Sequence, residues 1–241
     1  MFAFHSKSFL LQQRKRIYEA VSVKKNGVTL DLKTRTLQIM ELLEREYSDA
    51  KIALNYSNPL ELLVATILSA QCTDERVNKV AKALFKKYKK AEDYANAELS
   101  QLEQDIRSTG FYRNKAKHIK YCCQLLVAKH NSQVPRTMAE LLELPGVARK
   151  TANIVLTNAY GIIEGVAVDT HVRRLAQRLG ITENDDPAKI EADLMSVVPR
   201  DKWARITDLL IVHGRRVCAA KKPQCNACVL NRICPSAFAF S

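Results

Sequence analysis

Four cysteines crowd together as Cys218-x6-Cys225-x2-Cys228-x5-Cys234, and no other feature of the sequence limits the possible fold so tightly. Thiolates this close along the chain can wrap one metal centre, which makes the C-terminal region a short loop organised by its ligand. Cys72, Cys122 and Cys123 lie far upstream. A total of seven cysteines, clustered in this way, is no disulfide framework and points to metal ligation in a reducing compartment. Ligand chemistry alone admits a four-cysteine zinc site as readily as an iron-sulfur centre. The spacing lacks the two Cys-x2-Cys pairs of a zinc ribbon, and it matches no ferredoxin pattern.

From residue 34 onward helix signals recur almost without a break. Asn58-Pro59-Leu60-Glu61 supplies an N-cap, a proline at the first helical position and an acid at the third, ahead of the apolar stretch Leu62 to Leu68. Asp74 and Glu75 open a helix whose stripe runs Val77, Val80, Ala81, Leu84, Phe85 and Tyr88. Ser100-x-x-Glu103 and Thr137-x-x-Glu140 read as capping boxes, the first starting a short helix that Gly110 ends. A helix over about 114 to 129 puts Cys122 and Cys123 on its apolar side, as core residues. Asp169-Thr170 precedes the stripe Val172, Leu175, Ala176 and Leu179, stopped by Gly180; Asp186-Pro187 starts another helix, and Trp203 to His213 form the last long one. No convincing strand pair follows residue 33, so the expected fold class is all-α, with short loops and no solenoid repeat.

Residues 1 to 33 differ from the rest. Lys7, Arg14, Lys15, Arg16, Lys24 and Lys25 face only Glu19 before Asp31, which reads as a basic N-terminal extension. A hairpin signal at Asn26-Gly27 lies within it, but a lone two-stranded hairpin is only marginally stable, so a solvated tail is the expectation. An acid-poor transit peptide is the other reading. The whole chain carries 38 Lys and Arg against 25 acids, a net charge of +13, which points to a polyanionic partner unless the charge serves only solubility. No secretory leader is evident, and the longest apolar run, Leu62 to Ala70, is about half the length that spans a bilayer. No membrane partner is expected.

Two motifs give the polyanion a chemistry. Leu144-Pro145-Gly146-Val147-Ala148-Arg149-Lys150-Thr151-Ala152 joins an expected helix over about 138 to 144 to one over about 150 to 160. Proline ends the first, glycine permits the reversal, and the second helix starts with backbone N–H groups that suit a phosphate. Most Pro-Gly turns between helices are only turns. Val166-Ala167-Val168-Asp169-Thr170-His171-Val172 lies downstream. Together these segments resemble the endonuclease III family of helix-hairpin-helix DNA glycosylases, in which the hairpin and a downstream catalytic aspartate occur at this interval. The resemblance covers about residues 34 to 235.

By that resemblance Lys150 is the nucleophile and Asp169 the catalytic carboxylate, although each alone would read as a surface lysine and an N-capping aspartate. A neutral amine can attack the sugar C1′ and expel a base, and a carboxylate can stabilise the positive charge that develops. A helix N-terminus favours the neutral amine. The lysine separates an enzyme from a silent DNA-binding module, and it points to the oxidised-pyrimidine branch, since relatives acting on adenine opposite oxidised guanine lack it. The resemblance likewise implies that Cys218, Cys225, Cys228 and Cys234 hold a [4Fe-4S] cluster. Lys221 and Lys222, inside that loop, would grip the DNA backbone.

Excision requires the nucleotide to leave the stack. Ser69-Ala70-Gln71-Cys72-Thr73-Asp74 resembles the family segment whose glutamine fills the gap, so Gln71 inherits that role. Gly110-Phe111-Tyr112-Arg113-Asn114-Lys115-Ala116 resembles the loop whose apolar residue wedges into the stack, with Phe111 in place of leucine. Gly146, Ala148 and Arg149 complete the expected DNA contacts. Ala148 stands where the family hairpin has its second glycine; a positive φ there would cost an alanine roughly 1 to 2 kcal/mol and loosen the phosphate grip.

The resemblance implies an architecture of two all-α lobes, with a DNA cleft where Lys150 and Asp169 would face each other. A six-helix domain takes residues 53–162, and a cluster domain takes 34–52 and 163–241. The expected partner is duplex DNA carrying oxidised pyrimidines or abasic sites, bound by a monomer. The expected compartment is cytoplasmic and nucleoid-associated in a bacterium or archaeon, and organellar or nuclear in a eukaryote.

Overall fold

The structure, a computed structural model, describes residues 31 to 240 and the backbone of two short strands before them. Those strands, β1 (Lys24–Lys25) and β2 (Val28–Thr29), pair antiparallel with Lys24 opposite Thr29 and Lys25 opposite Val28, so a strand pair stands where a solvated tail was expected. The rest of the basic extension before Asp31 lies outside the described residues. All other regular structure described is helical, and no described helix is long and apolar enough to cross a membrane.

The chain divides into two compact units. Ile52–Ala167 forms one of them. Its helices are α2 (Pro59–Leu68), α3 (Asp74–Lys87), α4 (Ala91–Ala95), α5 (Leu99–Ile106), α6 (Tyr112–Lys129), α7 (Met138–Leu142) and α8 (Arg149–Tyr160). That is one more than the six expected, because Asp93 accepts the Lys89 and Lys90 N–H groups and turns the α3–α5 link into the single-turn α4. Side-chain caps start α2, where Asn58 accepts from the Glu61 N–H at 2.9 Å, and α7, where Thr137 accepts from the Glu140 N–H at 3.3 Å. Ser100 does not cap α5. The helix begins at Leu99, with Glu98 as N-cap, so that Leu99 can pack on the core beside fully buried Leu102 and Ile106.

The core of this unit gathers Leu62, Leu63, Leu68, Tyr94, Ile119, Leu126, Val155 and Leu156, all close to zero exposure. Cys122 and Cys123 belong to it, and burial pushes the Cys122 thiol up to about 12, the state of an inert packing residue.

The second unit combines Met1–Lys51 with Val168–Ser241. It holds α1 (Leu32–Glu46), α9 (Thr170–Arg178), α10 (Pro187–Val197) and α11 (Trp203–Arg216). Ile39, Met40, Leu43, Val172, Leu175, Ile190, Leu194 and Leu209 are fully buried, and α11 packs on both α9 and α1. A buried arginine ties these distant segments together. Arg35 of α1 donates to the carbonyls of Leu179 at 2.6 Å and Gly180 at 2.8 Å, closing the C-terminal end of α9. Arg35→Met should therefore destabilise the protein by about 3 kcal/mol, read as a lower urea midpoint at unchanged slope. A loss below about 1 kcal/mol would show that the clasp is dispensable.

Candidate nucleic-acid interface and metal centre

The turn between α7 and α8 is anchored by Leu144 and Val147, both buried, which leaves Gly146 and Ala148 at the surface. Gly146 has φ +80°, and a Cβ there would lie 2.8 Å from Cβ of His118 on α6. Glycine is thus required twice, for its left-handed backbone and for its lack of a side chain. Ala148 is extended, at φ −95° and ψ 170°. The strain expected at this alanine is absent, because the reversal is completed at Gly146 and position 148 already serves as the N-cap of α8. An alanine N-cap offers the first-turn amides no side-chain acceptor, so the positive end of the helix is presented to whatever anion approaches. Arg149 and Lys150, the first two residues of α8, are exposed there.

The two loops expected to enter the duplex lie in the same unit. Gln71 sits just past α2 with φ 51°, and Phe111 precedes α6 with φ 48°. Left-handed backbone is uncommon outside glycine, and both side chains are exposed, Phe111 at 64%. An aromatic ring held in solvent on a strained backbone has no packing duty of its own.

In the other unit Asp169 caps α9: its Oδ1 accepts from the N–H groups of His171 and Val172, each at 2.8 Å. It is half-buried. The same unit carries the cysteine loop. Cys218, Cys225, Cys228 and Cys234 line one cavity together with Arg178, His213 and Phe240. Among the described residues no set of three His, Cys, Asp or Glu side chains is drawn together around a single metal ion.

The surroundings nonetheless fit a thiolate-bound centre, since donors converge on the sulfurs. The Arg178 guanidinium donates to Cys218 Sγ at 3.3 Å, the Leu230 N–H to Cys228 Sγ and the Phe238 N–H to Cys225 Sγ, both at 3.4 Å. Burial, with the charges of the neighbouring cysteines behind it, pushes the Cys234 thiol up to about 11, so a metal charge is what would hold it as thiolate. Lys221 and Lys222 are exposed on the same loop.

Two residues of this centre carried no recognised sequence signal. Arg178 also donates to the carbonyls of Ala219 and Ala220, fixing the start of the loop. His213 is buried between the Tyr47 hydroxyl at 3.0 Å and Cys228 Sγ at 3.5 Å, and burial depresses its pKa to about 4. A basic residue at the end of α9 and a histidine five positions before Cys218 are the signals that could have marked them.

The chain matches a family model described as "HhH-GPD superfamily base excision DNA repair protein" over residues 64–200. It is 53% identical to Endonuclease III of Synechocystis sp. over 205 residues, 85% of this chain and 94% of that protein. To Endonuclease III of Bacillus subtilis it is 47% identical over 189 residues, 78% and 86% of the two chains. A solved structure of a non-covalent Endonuclease III-DNA complex superposes with a TM-score of 0.82 at 44% identity, covering 85% of this chain and 96% of that one.

The hairpin geometry separates its two small residues. Gly146→Ala should cost about 1 to 2 kcal/mol from the backbone alone, with displacement of His118 in addition. Ala148→Gly should change stability by less than about 1 kcal/mol, since neither residue is strained at negative φ. Denaturant unfolding of both variants checks this; a silent Gly146→Ala beside a strongly stabilising Ala148→Gly would reverse the assignment.

Proposed function

The chain belongs to the HhH-GPD superfamily of base excision DNA repair proteins, and within it to the endonuclease III family; from that premise we propose a bifunctional glycosylase and abasic-site lyase acting on oxidised pyrimidines in duplex DNA. The observation that carries the proposal is Lys150, exposed in the first turn of α8 directly behind the Gly146 reversal. A glycosylase that only hydrolyses needs no amine at such a place.

In this reading the Lys150 amine attacks C1′, the bond from C1′ to the base breaks, and the base leaves with the bonding electrons and takes up a proton. Ring opening at C1′ then gives an imine with Lys150. Loss of a C2′ proton expels the 3′ phosphate by β-elimination, and water releases the lysine. Asp169 stabilises the positive charge that develops on the sugar and handles protons. The Gly146 turn with the α8 start, including Ala148 and Arg149, receives phosphate. Gln71 fills the space left by the rotated nucleotide, and Phe111 wedges the stack open.

Cys218, Cys225, Cys228 and Cys234 would hold a [4Fe-4S] cluster, whose contribution is to anchor the loop that presents Lys221 and Lys222 to the DNA backbone. Protein purified without air should contain about four iron and four sulfide per chain. Stoichiometric zinc in their place would reject the cluster.

Duplexes carrying thymine glycol or 5-hydroxycytosine should be cleaved in preference to one carrying 8-oxoguanine; the reverse order would defeat the assigned substrate class. Lys150→Gln should keep DNA binding and lose strand cleavage at abasic sites. Asp169→Asn should slow base release about 100-fold. Asparagine caps a helix as well as aspartate does, so α9 stays closed and the loss reports charge. Cleavage of a preformed abasic site should suffer less, because no base is expelled. Parent-rate base release by Asp169→Asn would remove the carboxylate from the mechanism.

A further inference from the structure

Lys115 is a lysine in the core, only 4% exposed. Its Nζ donates to the carbonyl of Leu68 and to the carbonyl of Thr109, each at 2.8 Å. Burial pushes its pKa below the usual lysine value. Each acceptor closes a helical segment: Leu68 is the last residue of α2, and Thr109 the last of the 3-10 turn Arg107–Thr109. Carbonyls at such ends lack partners within the helix and carry negative potential, and a single ammonium has donors for both.

The residues just beyond the two carbonyls give the arrangement its meaning. Three residues past Leu68 stands Gln71, and two past Thr109 stands Phe111, both exposed and left-handed. We infer that Lys115 is a positioning residue for duplex opening: one ammonium holds the helix-end carbonyl from which each loop departs and so sets the spacing between the side chain that fills the gap and the side chain that wedges the stack. The inference rests on the roles proposed above for Gln71 and Phe111. Two side chains that enter one base stack from separate loops must arrive matched, and a misplacement of about 1 Å can cost two orders of magnitude in rate. Lys115 touches neither DNA nor the reacting atoms.

A purely structural lysine would cap two helices and matter equally for every substrate, whereas a positioning lysine matters only where a duplex must be opened. The test is Lys115→Met, which keeps the length of the side chain and loses its donors, with single-turnover cleavage measured on one abasic sequence as duplex and as single strand. Relative to the parent, Lys115→Met should lose about 30-fold or more on the duplex while staying within about threefold on the single strand. Lys115→Gln, with an amide donor, should fall between the two, and it is read on the same substrates if Lys115→Met does not fold.

Equal losses on both substrates, or no loss on either, would overturn the inference. Phe111→Ala is measured alongside. If Phe111→Ala keeps the duplex rate, the wedge reading itself fails and takes this inference with it. If Phe111→Ala loses the duplex rate while Lys115→Met keeps it, the wedge stands and the role of Lys115 alone is overturned.

Discussion

An α-helix leaves the N–H groups of its first turn and the carbonyls of its last without partners inside the helix, and burying them unpaired is expensive. Because the described residues from Asp31 onward have helices as their only regular structure, this constraint recurs from helix to helix. The protein meets it with side chains drawn from near and far. Asn58, Thr137, Asp169 and Asp186 cap helix starts from the adjacent position, while Arg35 and Lys115 reach carbonyls far along the sequence. These long-range charged caps do more than close helices. Arg35 joins α1 to the end of α9, and Lys115 joins the end of α2 to the turn before α6.

The proposed DNA contacts also sit at helix ends. Ala148 is the N-cap of α8, Phe111 of α6 and Asp169 of α9, and Gln71 comes just after α2. A helix terminus combines a fixed backbone with an outward-facing dipole, so it can present a side chain or a bare amide to an anion without mobile parts. Part of the fixing is strained. Gln71 and Phe111 hold left-handed backbones that a non-glycine residue adopts only when its surroundings over-determine it, and such strain gathers at functional positions.

How far the sequence discloses this depends on the range of the interaction. Caps at Asn58-Pro59, Thr137-x-x-Glu140 and Asp186-Pro187 are readable because donor and acceptor lie within one turn. Ser100 misleads because the helix starts one residue earlier, with half-buried Leu99 packed against the core in its first turn. Ala148 misleads because glycine in a related motif suggests a positive φ at that position, whereas the reversal needs one only at Gly146. Arg35 and Lys115 are illegible as structural devices, since each bonds backbone carbonyls, which look the same at every position of a sequence. The four-cysteine spacing, by contrast, is itself the signal, and the cysteines do line one cavity.

The proposed mechanism turns on one bond, between the Lys150 amine and C1′ of the damaged nucleotide. It is tested most directly by reducing the protein with a lesion-bearing duplex in borohydride, digesting the adduct and locating the sugar by mass spectrometry. The mechanism requires the sugar remnant on the peptide that contains Lys150, with no adduct from Lys150→Gln. A remnant on another lysine, or none from the parent protein while base release continues, would contradict it.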